Sequence, residues 1–118
     1  MSRKVSFEGI GEVAATFFTE GTVKRGHVVK IGGDSKVEAC ASGERFCGVA
    51  LGDAKDGFAA VQIQGCAQVK CADDTVTVGY VKLTADGTGG VKKAGTNDAG
   101  DEYLVMADDG AGIITIKM

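Results

Sequence analysis

Proline and tryptophan are absent from this 118-residue sequence, histidine occurs once, and aromatic residues make up only 6% of it. The lack of proline excludes polyproline and collagen-like chains and leaves every residue with the N–H donor that a β-ladder needs. No apolar run approaches the roughly 20 residues that cross a bilayer as a helix, so no membrane partner is expected. After the basic start at Arg3 and Lys4, the apolar run of about 7–15 residues that a secretory signal requires does not follow. The expectation is a soluble protein made in the cytosol. Positive charge is also scarce: the segment up to Ala59 holds eight basic and eight acidic residues and the remainder five and eight, for a net charge of −3. Without a basic stripe the chain lacks the electrostatic contribution behind nonspecific nucleic-acid affinity, so neither DNA nor RNA is expected as a direct ligand.

Metal and disulfide chemistry are poorly supplied. The four cysteines, Cys40, Cys47, Cys66 and Cys71, form no C-x-x-C pair, and His27 has no partner at a zinc-ligand spacing. A cytosolic chain keeps its thiols reduced, so the cysteines read as small hydrophobes, with Cys66 and Cys71 on opposite faces of one extended segment. Neither a metal nor a cofactor is expected.

What the chain has in excess is glycine, 19 residues, more than twice the usual share of about 7%. Each costs a helix interior up to about 1 kcal/mol relative to alanine, which argues against a helical bundle. The clearest periodicity runs from Gly57 to Cys71. Odd positions from Ala59 read Ala, Val, Ile, Gly, Ala, Val, Cys, and the even positions 62, 64, 68 and 70 read Gln, Gln, Gln, Lys. This is a half-buried antiparallel strand with one apolar and one polar face. It is too long for one flat strand, and Gly65 at its centre predicts a bend or barrel corner. On this reading Val61→Asp is strongly destabilising and Gln62→Asp mild.

Further short strands are predicted at His27–Ile31, Lys36–Cys40, Cys47–Leu51, Gly79–Ala85, Gly90–Lys93, Glu102–Ala107 and Gly112–Met118, and Gly11–Phe18 leans to strand. Glycine and Asx turns such as Gly32-Gly33-Asp34-Ser35 and Asp108-Asp109-Gly110 separate them. The chain also echoes itself at an offset of 53 residues. Val23-x-x-Gly26-His27-Val28 matches Val76-x-x-Gly79-Tyr80-Val81, Gly57, Val61 and Ile63 fall on Gly110, Ile114 and Ile116, and the strand led by Phe46 matches the one led by Tyr103. The fold class that follows is all-β: a small single-domain β-barrel or sandwich of short antiparallel strands, with two similar half-units. Its length is below the ~150-residue domain unit. Residues 11–118 form the single β domain, and residues 1–10 an N-terminal arm or first strand.

Candidates for catalysis are few. His27 reads as a planar side chain packing where a strand begins. Asp73-Asp74 and Asp108-Asp109 lie in turns and lack the spacing of a calcium loop. Gly87-Thr88-Gly89-Gly90 lacks the Lys-Ser/Thr of a phosphate loop, and the closing Ile116-Lys117-Met118 is not at a hairpin tip. No catalytic residue is assigned, and the protein is expected not to be an enzyme.

The ordered set Val23-x-x-Gly26-x-Val28-Val29, Phe46-Cys47-Gly48-Val49-Ala50, Ala59 to Val69, Thr77-Val78-Gly79-Tyr80-Val81 and Ile113-Ile114-Thr115-Ile116 resembles the small capsid decoration, or cement, proteins of tailed bacteriophages and prophages. The resemblance spans residues 20 to 118. It implies a structural protein of the virion, made in the bacterial host cytoplasm, that binds the outside of the assembled head as a homotrimer. Its partners would be the major capsid protein and further copies of itself. The resemblance also implies an N-terminal arm that contacts the capsid or a neighbour. Here Arg3, Lys4, Val5 and Phe7 would supply the contacts, with Val5 and Phe7 alternating with polar residues as in a strand added to a sheet edge. A first strand of the protein's own barrel, or a frayed end, is the alternative for that segment. For the whole chain the rival reading is a small ligand- or carbohydrate-binding bacterial β-barrel.

Overall fold

The computed structural model describes residues 10–118. The aliphatic and β-branched runs between glycine and Asx turns form ten strands and, among the described residues, no helix. They are β1 (Val13–Thr19), β2 (Val28–Gly33), β3 (Lys36–Ala39), β4 (Gly48–Ala50), β5 (Phe58–Gln64), β6 (Cys66–Lys70), β7 (Gly79–Ala85), β8 (Val91–Lys93), β9 (Asp101–Asp108) and β10 (Ile113–Lys117). The first five close into a barrel in the order β1-β3-β2-β4-β5, and the other five form a sheet in the order β6-β10-β9-β7-β8. The expected segments are therefore present, and Gly57–Cys71 is divided at Gly65 into β5 and β6.

One pairing departs from the antiparallel expectation. β1 runs parallel to β3, with Phe18 opposite Lys36 and Thr19 opposite Val37, whereas β2–β3, β2–β4, β4–β5 and β1–β5 are antiparallel. A closed ring with an odd number of strands cannot alternate direction all the way round, so at least one neighbouring pair has to be parallel.

The internal echo extends to topology. Written from β3, the barrel order is β3-β2-β4-β5-β1, and adding five to each number gives β8-β7-β9-β10-β6, the order of the second sheet. Gly26 and Gly79 (φ 82° and 119°), like Gly57 and Gly110 (81° and 74°), share left-handed backbone. The halves differ at the closing line. In the barrel, the backbone of β1 reaches β3, with the Phe18 N–H donating to Ser35 O at 2.8 Å and the Glu20 N–H to Val37 O at 3.2 Å. In the second half a side chain takes that place: Asp73, just beyond β6, accepts the Lys93 N–H of β8 through Oδ2 at 3.1 Å. At the start of β8 the backbone of Gly90 presses on β6 so closely that a Cβ there would lie 2.5 Å from Lys70 O.

Gly65 is where the chain passes from one sheet to the other. Its φ is 100°, and an added Cβ would meet the Gly11 carbonyl carbon and oxygen at 2.6 Å and Ile10 O at 2.7 Å. The Cys66 N–H donates to Ile10 O and the Met118 N–H to Gly65 O, both at 2.9 Å. The alternation is also corrected just before the corner. Ala59, Val61, Ala67, Val69 and Cys71 are buried as expected, but Gln62 is buried as well, and Ile63 is 40% exposed. Gln62 turns inward because the β1–β5 register shifts between Val13 and Ala14, which pair with Gln64 and Gln62 and leave Ile63 as a β-bulge; its buried Nε2 donates to Gln64 O (3.2 Å) and Cys66 O (3.0 Å). The matching Ile116 stays buried, so the half-units diverge here.

Two hydrophobic clusters result. The barrel interior holds Val23, Val29, Val37, Ala50, Ala59 and Val61. A larger core between barrel and sheet joins Val28, Phe46 and Val49 to Val69, Leu83, Val105 and Ile116. The β3–β4 connection straps the halves together: the Gly43 N–H donates to Ala85 O, and the Ala85 N–H and Thr84 hydroxyl both donate to Glu44 O, at 2.9–3.0 Å. The Glu44 side chain braces this strap, accepting the Ala41 N–H on Oε1 at 2.7 Å and pairing with Lys30 through Oε2. The bond from Lys30, followed by that from Ala41, holds the Glu44 carboxyl below its ordinary value of 4.5.

Three outcomes are expected. Gly65→Ala lowers stability by at least about 2 kcal/mol in chemical denaturation, since both φ and the facing backbone exclude a side chain. Val61→Asp costs about 3 kcal/mol or more and Gln62→Asp about 2 kcal/mol, whereas Ile63→Asp stays within about 1 kcal/mol. Equal costs at 62 and 63 would refute the bulge at Ile63. A carboxyl with a depressed folded-state pKa stabilises above its unfolded value and loses that contribution as pH falls through the folded one. The Tm gap between wild type and Glu44→Gln is thus full above pH 4.5 and closes on acidification. A gap independent of pH would mean that the backbone contacts alone hold the strap.

Candidate binding cleft and exposed aromatic pair

Phe46 leads into β4, and Tyr103 lies in β9 opposite Val81 of β7. These aromatic leads of the two echoing strands meet face to face, with ring centroids 4.9 Å apart and planes 10° from parallel. The stack floors a cleft of about 560 Å³ between barrel and sheet, walled by Ile31, Cys47, Ile63 and Met118 and rimmed by Lys30, Arg45 and Asp101. Burial, followed by the nearby Asp101 charge, pushes the Tyr103 hydroxyl up to about 12, so at neutral pH it is protonated and a donor.

Each cation of the rim faces a carboxylate. Arg45 Nε donates to Asp101 Oδ2 at 2.7 Å, and Lys30 pairs with Glu44 and, at 3.6 Å, with Glu38. Both cations are engaged, and the exposed Arg45–Asp101 pair adds little to stability. Cys47 in the wall is half-buried, and desolvation raises its thiol pKa, as it does that of the neighbouring Cys40, which is pushed up to about 12. Both are thiols rather than thiolates at neutral pH and are poor nucleophiles.

A second feature lies on the outside of the barrel. Phe18 of β1 and Phe58 of β5 are cross-strand partners with ring centroids 5.1 Å apart, each about half exposed. Among the described residues, the two non-glycine residues with left-handed backbone, Ser35 and Asp56, sit in the turns that bond β1 here. On the second sheet Val78 and Tyr80 are also exposed.

The residues singled out from sequence are placed as follows. Arg3, Lys4, Val5 and Phe7 lie outside the described residues. His27 packs its ring over Gly89, where a Cβ would meet it at 2.4 Å, whereas its echo Tyr80 points to solvent. Asp73 is bound by the Thr75 N–H and hydroxyl as well as by Lys93, and Asp108 and Asp109 accept the Gly110, Ala111 and Ile113 N–H groups. Asp86 accepts the Thr88 and Gly90 N–H groups through one oxygen, so a carboxylate of the chain occupies the turn where a phosphate loop would leave its amides open. Among the described residues no group of three His, Cys, Asp or Glu is arranged to hold a metal, and no helix is long and apolar enough to cross a membrane. The four cysteines are free; Cys71 joins the core between the halves, and Cys66 Sγ lies 3.7 Å from Met106 Sδ. Sequence reasoning found the Phe46–Tyr103 equivalence but not the cleft it floors, whose walls come from four separate segments.

No family model and no curated protein matches the chain. Among solved structures it is similar to the head fiber gp8.5 N base of bacteriophage phi29, with a TM-score of 0.64 and 19% sequence identity, covering 91% of this chain and 93% of that one. At that identity the likeness is one of fold, and it extends over nearly the whole of both chains.

Proposed function

We propose that the chain is a non-enzymatic structural protein of a tailed-phage or prophage virion, which binds the outside of the assembled head as a trimer and stabilises it. The observation that carries this reading is the fold shared, over 91% of this chain, with the base of a phage head fiber. The ordered strand motifs that resemble head decoration proteins support it independently. The geometry is compatible: charged residues of the turns are engaged by backbone amides, and the binding features are a cleft and an apolar surface pair. A shell offers many identical sites, so a trimer engaging several at once gains avidity from a modest affinity per site. On this reading the partner is the major capsid protein, and the N-terminal segment with Arg3, Lys4, Val5 and Phe7 is the candidate second contact.

The cleft raises one rival, a small-ligand or carbohydrate-binding module. The two aromatic rings that line it, Phe46 and Tyr103, are at most 9% exposed, which leaves no open ring there for a sugar to stack upon.

Sedimentation and co-pelleting with expanded heads test the proposal. The expected result is a species of three times the 12.0 kDa chain mass and saturable retention on heads, reduced when residues 1–8 are deleted. A strict monomer that stays in the supernatant would sink the virion reading, and saturable sugar binding by that monomer would establish the rival.

A further inference from the structure

The Tyr103 hydroxyl is an unspent donor. Tyr103 is 9% exposed and lines the cleft, yet its hydroxyl bonds to none of the described residues and is not sealed from solvent. A buried hydroxyl without a protein partner costs about 1–3 kcal/mol unless water or a ligand satisfies it. The walls around it are apolar, from Ile31, Cys47, Ile63 and Met118. The cations above it are already engaged, Arg45 by Asp101 and Lys30 by Glu38 and Glu44, so an incoming anion would find no free counter-ion and would lose hydration. The isoleucines extend the apolar area beyond the cleft, Ile31 being 54% and Ile63 40% exposed. A free small molecule seated on the floor would leave those side chains wet, whereas a polypeptide covers both.

We infer that the cleft is an anchor pocket for a protein partner: it receives an uncharged branched-aliphatic side chain, and the Tyr103 hydroxyl donates to the carbonyl of the same segment. Interfaces concentrate their binding energy in such desolvated pockets, and the matched charges form a polar rim around this one. The inference deepens the virion reading and rests on it for the identity of the partner as the shell.

Two measurements on the full chain test it. In an NMR titration, N-acetyl-leucinamide shifts Ile31, Ile63, Met118 and Tyr103 saturably, and the carboxylate analogue N-acetyl-leucine binds at least about threefold more weakly. Tyr103→Phe, which keeps the Phe46 stack, weakens the amide about threefold to tenfold. Shifts scattered outside the cleft, a preference for the carboxylate, or indifference to Tyr103→Phe overturns the pocket. In head co-pelleting, the double variant Ile31→Asp, Ile63→Asp, altered only at exposed positions, loses at least about tenfold in retention. Wild-type retention with an unimpaired double variant overturns the inference and leaves the virion reading standing. Failure of the wild type to pellet overturns the virion reading, and the titration then decides the pocket alone.

Discussion

The fold depends on one close approach, the backbone of Ile10 and Gly11 lying against Gly65. No side chain fits between them, and the left-handed φ lets the chain leave the barrel as β5 and resume in the second sheet as β6 without a loop. The ladder is already irregular just before this turn. A β-bulge at Ile63, opposite Val13 and Ala14, brings Gln62 inward, where it donates to Gln64 O and Cys66 O, and puts Ile63 outward in the wall of the cleft. Met118 is drawn in by its bond to Gly65 O and completes that wall. The cleft is thus a by-product of the bulge and the corner rather than a separate device.

Burial of apolar side chains supplies most of the stability, but the way it is divided is instructive. The barrel interior alone is a cluster of small residues, mostly valine and alanine. The larger core lies between the halves and draws on both. Its order is set by hydrogen bonds of the strap, where Glu44 serves through its carbonyl and both carboxylate oxygens. The rim of the cleft shares Lys30 with this region, so one cation both braces the strap through Glu44 and borders the cleft.

Most strands were legible in the sequence because glycine and Asx turns mark their ends and alternation marks their faces. Gly65 was legible as a corner for the same reason, and the echo at Gly26 and Gly79 reflects a real repetition of strand order. The inversion at Gln62 and Ile63 was not, because period-2 alternation assumes an unbroken ladder, and the bulge at Ile63 is set by pairing with Val13 and Ala14, some fifty residues away. The parallel β1–β3 line was not legible either, since it follows from the strand number of a closed ring rather than from any local pattern. The cleft depends on residues as distant as Ile31 and Met118, and only the matching of Phe46 with Tyr103 pointed toward it.

The shared strand order has a consequence for size. Half of 118 residues is below the roughly 70–80 at which a single core supplies adequate stability without disulfides, metals or assembly. A lone barrel half would expose Val28, Phe46 and Val49, which now face its twin. Repetition here works as mutual shelter: each half supplies the layer that covers the other's apolar face.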